Sequence, residues 1–131
     1  MGRAAVVVLD TCGLLWRLFE PQSLSRKAAR LLSGPGKLLV SSISIWEIAV
    51  KQRKNQLKLP VSPRELVRLL GEVEEVSIVP VDEQIWLEAT ELDWSHGDPA
   101  DRVIVATARI NGARLVTSDR AIRSFYRKTV W

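Results

Sequence analysis

The sequence has little of what stabilises secreted or membrane-spanning proteins. It contains one cysteine, Cys12, which excludes an internal disulfide and a four-cysteine zinc site. Its N-terminal apolar run, residues 5–9, is too short for a signal-peptide core or a membrane span. We therefore expect a cytoplasmic protein that makes no contact with a membrane.

Several common catalytic motifs are also missing. There is no glycine-rich phosphate loop, no Gly-x-Gly-x-x-Gly and no Gly-x-Ser-x-Gly. Cys12 has no histidine nearby in sequence, which argues against a thiol nucleophile. His96 is the single histidine and falls in a predicted loop, so a surface position is expected rather than a catalytic one.

Charge is distributed unevenly along the chain. Residues 70–101 contain ten acidic side chains and no lysine or arginine, whereas the remainder carries nineteen bases and five acids. A strongly basic surface is one signature of proteins that bind the phosphate backbone of nucleic acids. A solvated basic face that maintains solubility is the more common explanation of charge alone. Charge therefore supports a nucleic-acid ligand without establishing one.

Short apolar runs alternate with longer amphipathic segments throughout the chain. The β-branched run at residues 5–9 has no polar alternation, which is typical of a parallel strand buried on both faces. The alternation predicts one α/β domain over residues 1–131, a three-layer α/β/α sandwich with a mostly parallel sheet of about five strands. The predicted strands are residues 5–9, 37–41, 76–81, 114–117 and 128–131.

Helices are predicted between these strands. Ser23 is expected to cap the second helix, and Ser62, Asp82 and Asp98 are expected to cap later ones. Tryptophans on apolar helix faces are core residues by default, whereas those outside the helices are expected to be more exposed. The first group contains Trp16, Trp46 and Trp86, and the second contains Trp94 and Trp131.

Four acidic residues fall at one edge of the predicted sheet. Asp10 directly follows the first predicted strand and Asp119 lies just after the fourth, whereas Glu47 and Asp101 lie in the first turns of predicted helices. Ligands of open α/β sheets bind beyond the carboxyl ends of the strands, so we expect these carboxylates to converge there. Four carboxylates in a small space need a cation, and oxygen donors favour Mg²⁺ or Mn²⁺.

Three of these acids also have a purely structural explanation. Asp10 and Asp119 are well placed to cap the helices that follow them. Glu47 precedes Lys51 by four residues, a spacing that allows a surface ion pair. A metal-binding role is nevertheless favoured for Glu47, because residues 43–50 are apolar almost all round and predict a nearly buried helix.

Asp98 and Asp101 can be distinguished by their neighbours. Asp98 precedes Pro99, so a role as helix cap explains it fully. Asp101 introduces the apolar segment 103–108, which is expected to be buried, and this favours a metal-binding role.

Four segments carry a recognisable set of motifs. They are Val8-Leu-Asp-Thr-Cys-Gly-Leu-Leu-Trp16, Ser44-Ile-Trp-Glu-Ile-Ala-Val-Lys51, Asp98-Pro-Ala-Asp-Arg-Val-Ile-Val-Ala-Thr-Ala108 and Leu115-Val-Thr-Ser-Asp119. In order and spacing they resemble the PIN domain, and more narrowly the VapC-type toxins of bacterial and archaeal toxin–antitoxin pairs. The resemblance covers essentially the whole chain.

The resemblance implies a parallel sheet between helical layers and RNA cleavage that depends on Mg²⁺ or Mn²⁺. It further implies a homodimer, and inhibition by a small antitoxin that lays a segment across the acidic site. The family's metal-binding acids fall on Asp10, Glu47, Asp101 and Asp119, with Asp98 as an auxiliary acid and Thr117 as a supporting hydroxyl.

The implied chemistry is phosphodiester hydrolysis by water. One or two metal ions held by these acids would lower the pKa of a water molecule and polarise the scissile phosphate, with Glu47 holding the metal or orienting the water. Lys51, Lys54 and Arg102 lie near the acids in sequence and are candidates to bind neighbouring phosphates. Cys12 stands where many relatives have histidine, and residues 55–57 replace their Gly-Lys-Leu, but neither departure touches the four acids.

Other functions stay open at this point. A solitary PIN-domain nuclease that processes RNA would have the same four acids. A non-catalytic module that binds RNA or a partner would usually have lost at least one of them. A phosphoryl-transfer fold with a phosphorylated aspartate would be expected to have an Asp-x-Asp pair or a late-strand lysine, and this chain has Asp10-Thr11-Cys12 and no such lysine.

Overall fold

The computed structural model describes residues 5–131. Its strands, in chain order, are β1 (Ala5–Leu9), β2 (Gly36–Ser41), β3 (Val76–Val79), β4 (Arg114–Val116) and β5 (Thr129–Val130). Its α-helices are α1 (Thr11–Phe19), α2 (Arg26–Ser33), α3 (Ser42–Arg53), α4 (Pro63–Glu72), α5 (Glu83–Glu91), α6 (Pro99–Ile110) and α7 (Arg120–Phe125).

All five strands belong to one parallel sheet with the order β3-β2-β1-β4-β5. Leu9, at the end of β1, pairs with Val40 on β2 and with Val116 on β4. The carboxyl ends of the three central strands are therefore aligned. This arrangement confirms the predicted α/β class and the five-stranded parallel sheet.

Helices cover both faces of the sheet, as the unbroken apolar strands predict. Val7 and Leu9 pack towards α1, α2, α3 and α4, whereas Val8 between them packs towards α6 and α7. Helix α5 packs on α6 through Ile85 and Ala89. No helix within residues 5–131 is long and apolar enough to cross a membrane.

Gly36 allows β2 to start close against β1. Its φ of 142° is rarely adopted by residues with a side chain, and an added Cβ would lie 2.2 Å from the carbonyl oxygen of Ala5. The central strand pair, which positions the acids that follow it, therefore requires glycine here.

Two predictions about local structure are wrong. Ser25, not Ser23, caps α2 by accepting a hydrogen bond from the Ala28 amide at 3.1 Å, because residues 21–23 form a separate 3-10 turn. The predicted third strand also ends at Val79, two residues earlier than expected.

The burial predicted for two tryptophans is also wrong. Trp46 is 62% exposed and Trp86 is 45% exposed. Ser44 and Ile48, four residues apart, form the buried face of α3, and Trp46 lies midway between them on the opposite side. Helix α3 is therefore only half buried, and Trp46 is a large apolar side chain on its exposed face.

Candidate active site

The four predicted acids meet in one cleft at the carboxyl edge of the sheet. Strands β1 and β4 end at the cleft, the amino-terminal ends of α1, α6 and α7 border it, and one face of α3 completes its wall. Glu47 is the sixth residue of α3, which begins at Ser42, so it lies in the second helical turn and not in the first as predicted. The cleft is lined by Asp10, Thr11, Cys12, Glu47, Lys51, Asp98, Asp101, Ser118 and Asp119.

Asp10 is the most deeply buried of these acids. Its Oδ1 atom accepts a hydrogen bond from the Gly13 amide at 2.7 Å, and the Thr117 hydroxyl also binds its carboxylate. A Cβ at position 13 would lie 2.9 Å from that Oδ1, so glycine makes room for the carboxylate. Burial, with smaller contributions from Asp101 and Asp119, raises the pKa of Asp10 to about 6.

Asp101 shares this electrostatic environment. Burial raises the pKa of its carboxyl, and repulsion from Asp98 and Asp119 adds to the shift. His96 counteracts the shift, since its Nε2 atom lies 2.8 Å from Oδ2 of Asp101. The sequence had suggested a surface position for His96, because one histidine in an aperiodic loop gives no sign of its partner.

Glu47 is held from two sides. The Thr11 hydroxyl donates a hydrogen bond to its Oε1 atom at 2.6 Å, and Lys51 Nζ lies 3.9 Å from its Oε2 atom. Thr11 Oγ1 also lies 2.8 Å from the buried Ser44 hydroxyl. From the sequence, a surface ion pair with Lys51 and a metal-binding position were alternative explanations of Glu47. The structure contains the ion pair and also places Glu47 in the cleft.

Asp119 and Asp98 combine capping with a position in the cleft. Asp119 accepts a hydrogen bond from the Ile122 amide at 2.9 Å, and Asp98 accepts one from the Asp101 amide at 3.1 Å. The Thr117 hydroxyl accepts a hydrogen bond from the Asp119 amide at 3.1 Å. Capping therefore fixes where these side chains lie without removing them from the cleft.

The donor chemistry of the cleft suits a hard divalent cation. Its acidic residues offer carboxylate oxygens, and the raised pKa of Asp10 reflects burial of its carboxylate, with added repulsion from Asp101 and Asp119. Within residues 5–131, no three acidic, histidine or cysteine side chains already stand close enough together to enclose an ion. Mg²⁺ retains several waters and needs only one or two protein carboxylates beside substrate phosphate, so the residues present fit it.

Two of the predicted phosphate contacts do not line the cleft. Lys51 lines it, whereas exposed Lys54 lies just beyond α3 and is not part of its wall. The Arg102 guanidinium donates hydrogen bonds to five backbone carbonyls. The prediction that Arg102 binds RNA phosphate is wrong, because these bonds occupy the donors of its guanidinium. The role of Arg102 is structural.

An apolar groove continues from the cleft. Glu47 and Asp98 line both depressions, so the two are contiguous. The groove is lined by Ser42, Ile43, Trp46, Glu47, Val81, Trp86, Asp98, Pro99 and Ala100.

Comparison with known proteins gives a family and a close relative in sequence. A family model described as PIN domain matches residues 7–128. Ribonuclease VapC22 of Mycobacterium tuberculosis is 40% identical over 131 residues, which cover 95% of this chain and 98% of that protein.

Solved structures with the same fold include components of toxin–antitoxin complexes. One from Klebsiella pneumoniae aligns with a TM-score of 0.67 and 19% identity, covering 95% of this chain and 96% of the other. Another is VapBC2 of Rickettsia felis bound to a DNA fragment from their promoter, with a TM-score of 0.63 and 16% identity over 92% of each chain. At these identities the likeness establishes the fold.

Proposed function

Because the chain belongs to the PIN domain family, we propose that it is a divalent-metal-dependent endoribonuclease and the toxin of a type II toxin–antitoxin pair. The observation that carries this proposal is the meeting of Asp10, Glu47, Asp101 and Asp119 in one cleft. A ribonuclease 40% identical over nearly the whole chain supports the activity. Residues 1–131 would act as one domain, and in the cytoplasm, where RNA is accessible.

The acids take two roles in this proposal. Asp10, Asp101 and Asp119 would hold Mg²⁺ or Mn²⁺, with water and substrate phosphate supplying its other ligands. When bound, the ion would lower the pKa of a water molecule and neutralise charge on the scissile phosphate. Glu47, fixed by Thr11, would help hold the metal ion or orient the attacking water. Attack by water with the 3′-oxygen as the leaving group would break the P–O3′ bond, leave a 5′-phosphate and a 3′-hydroxyl, and make no use of the RNA 2′-hydroxyl.

Asp98 and Thr117 would support the site without reacting. Asp98 caps α6 and so orients the turn that carries Asp101. Thr117 hydrogen bonds to the Asp10 carboxylate while accepting from the Asp119 amide, which joins two of the proposed metal ligands.

RNA phosphates would be held by basic side chains beside the acids. Lys51 lines the cleft, and Lys54 follows it by one helical turn. An acidic cleft repels a phosphate backbone, so positive charge at its margin is needed for binding.

The proposed partners are a small antitoxin and a second copy of this chain. Structural neighbours solved as toxin–antitoxin complexes support the antitoxin, whose basic side chains would neutralise the acidic cleft. The groove beside the cleft supports a homodimer, because Trp46 and Trp86 leave large apolar surfaces open to water.

The nuclease activity can be tested with matched amide variants. Purified protein should cut single-stranded RNA with Mg²⁺ or Mn²⁺ and stop when EDTA is added. Asp10→Asn and Asp101→Asn should each lower the cleavage rate at least a hundredfold while the circular dichroism spectrum is unchanged. Asp82→Asn, the same change at the cap of α5 outside the cleft, should keep full activity. Undiminished cutting by both cleft variants would refute the site.

The toxin role needs its own experiment. Expression of the wild-type chain in a bacterial host should arrest growth, and co-expression of the small protein encoded beside it should restore growth. Arrest by wild type but not by Asp10→Asn would support the role, whereas growth unaffected by an active nuclease would favour a solitary RNA-processing enzyme.

A further inference from the structure

Arg102 organises the connection between α5 and α6. Its Nε atom donates to the Ala89 carbonyl at 2.9 Å, and its Nη2 atom donates to the Leu92 carbonyl at 2.9 Å. Its Nη1 atom donates to the carbonyls of Trp94, at 2.6 Å, and His96, at 2.9 Å. Carbonyls at a helix end and in a loop have no intrahelical donor, so one guanidinium replaces the missing partners. The path of residues 89–96 is thereby fixed.

An aromatic stack fixes the end of the same connection. The rings of Trp94 and Phe125 are nearly parallel, at an interplanar angle of 8° and a centroid distance of 4.8 Å. The His96 ring lies 4.7 Å from the Trp94 ring. Phe125 ends α7, the helix that Asp119 caps, so the stack joins this helix to the loop that leads into α6.

Together these contacts fix the position of the His96 imidazole and its Nε2 atom. Nε2 of His96 lies 2.8 Å from Oδ2 of Asp101, and both side chains are mostly shielded from water. A neutral imidazole with its proton on Nε2 donates to that oxygen. One oxygen of Asp101 is thus restrained, which limits rotation of the whole carboxylate.

We propose that His96 is a positioning residue that orients the Asp101 carboxylate for metal binding through the Nε2–H···Oδ2 hydrogen bond. Arg102 and Trp94 hold the imidazole in place for this purpose. The inference rests on the proposed metal-dependent function. Partners that hydrogen bond to a metal ligand typically change metal affinity 10- to 100-fold when removed.

Two substitutions separate the hydrogen bond from the stack. His96→Phe retains an aromatic ring against Trp94 but cannot donate to Asp101. His96→Gln loses the ring, yet its side-chain amide reaches about as far as Nε2 and can donate. The readout is the Mn²⁺ dissociation constant by isothermal titration calorimetry, with the melting temperature of the metal-free protein measured in parallel.

We expect His96→Phe to weaken Mn²⁺ binding about 10- to 100-fold at a nearly unchanged melting temperature, and His96→Gln to stay within a few-fold of wild type. If His96→Phe binds Mn²⁺ as tightly as wild type, the positioning role of His96 is overturned, but the proposed metal-dependent function is not. Equal weakening of both variants would also overturn it, since the stack and not the hydrogen bond would then matter. If His96→Phe does not fold, His96→Ala replaces it in the same comparison.

The wild-type titration distinguishes this failure from failure of the proposed function. Wild-type protein that binds Mn²⁺ no better than Asp10→Asn would overturn the metal-dependent function, and the role of His96 with it. Wild-type protein that binds Mn²⁺ clearly better leaves the function intact and makes the comparison of the His96 variants decisive.

Discussion

The Thr11 hydroxyl donates a hydrogen bond to Glu47 across 2.6 Å, which joins two helices that follow neighbouring strands of the sheet. Thr11 is buried, and its oxygen also contacts the Ser44 hydroxyl. Glu47 is therefore positioned from the β1 side of the cleft as well as by Lys51 on its own helix. A carboxylate with only the lysine as partner would be free to turn towards water.

We predict that Thr11→Val impairs the site more than Thr11→Ser. Valine has nearly the shape of threonine but cannot donate to Glu47, whereas serine retains the hydroxyl. Hydrogen bonds to charged groups contribute about 1.5–3 kcal/mol, so the cleavage rate should fall about tenfold or more in Thr11→Val. RNA cleavage under single-turnover conditions checks this, and equal rates for the two variants would contradict it.

Asp10→Asn should stabilise the metal-free protein at neutral pH. The folded-state pKa of Asp10 is about 6, above the ordinary value of 3.8, so folding favours the protonated carboxyl. The associated stability is fully present below pH 3.8 and is lost as the pH rises to about 6. The loss amounts to about 3 kcal/mol, from 1.36 kcal/mol per pKa unit. Asparagine avoids it while still accepting from the Gly13 amide.

Urea unfolding in EDTA at pH 7.5 and pH 4 measures this effect. Asp10→Asn should be the more stable protein at pH 7.5, and the difference should nearly vanish at pH 4. Asp82→Asn provides the control, since it changes a helix cap outside the cleft. A destabilised Asp10→Asn at pH 7.5 would refute the electrostatic explanation.

The apolar groove should mediate the proposed homodimer. Trp46→Glu or Trp86→Glu would place a charge in the interface and should convert the dimer to a monomer, as measured by sedimentation velocity. Val67→Glu is the control, because Val67 is a 40% exposed apolar residue of α4 outside the groove. A wild-type protein that is monomeric at all concentrations would rule out the dimer.

Lys51 and Lys54 should contribute to RNA affinity through charge alone. In the inactive Asp10→Asn background, Lys51→Gln or Lys54→Gln should weaken binding of a short single-stranded RNA and reduce the slope of log affinity against log salt by about 0.7. Fluorescence anisotropy over a salt series measures this slope. Lys27→Gln, at the opposite edge of the sheet, should leave it unchanged.

The sequence was sufficient to predict the sheet and the position of its acids. β1 is an apolar run that ends directly before Asp10, β4 ends three residues before Asp119, and parallel strands align their carboxyl ends. Asp10 and Asp119 could thus be assigned to the same edge although 109 positions separate them. Periodicity and local order were enough for this part of the fold.

The remaining details depend on contacts that no periodic pattern encodes. His96 meets Asp101 only because Arg102 gathers carbonyls from an aperiodic loop, and the sequence offers no signal for a guanidinium that binds backbone. Trp46 was expected in the core because a single chain does not reveal which apolar faces its own fold leaves open. Both errors concern tertiary partners and not secondary structure.

The position of β4 beside β1 determines when the cleft can form during translation. β1 and Asp10 leave the ribosome well before β4, the strand that pairs with them, and Asp119 follows Asp10 by 109 residues. A nascent chain that stops before residue 114 lacks both β4 and Asp119. Under the proposed function, the nascent chain therefore cannot cut RNA until β4 and Asp119 have been made and β4 has paired with β1.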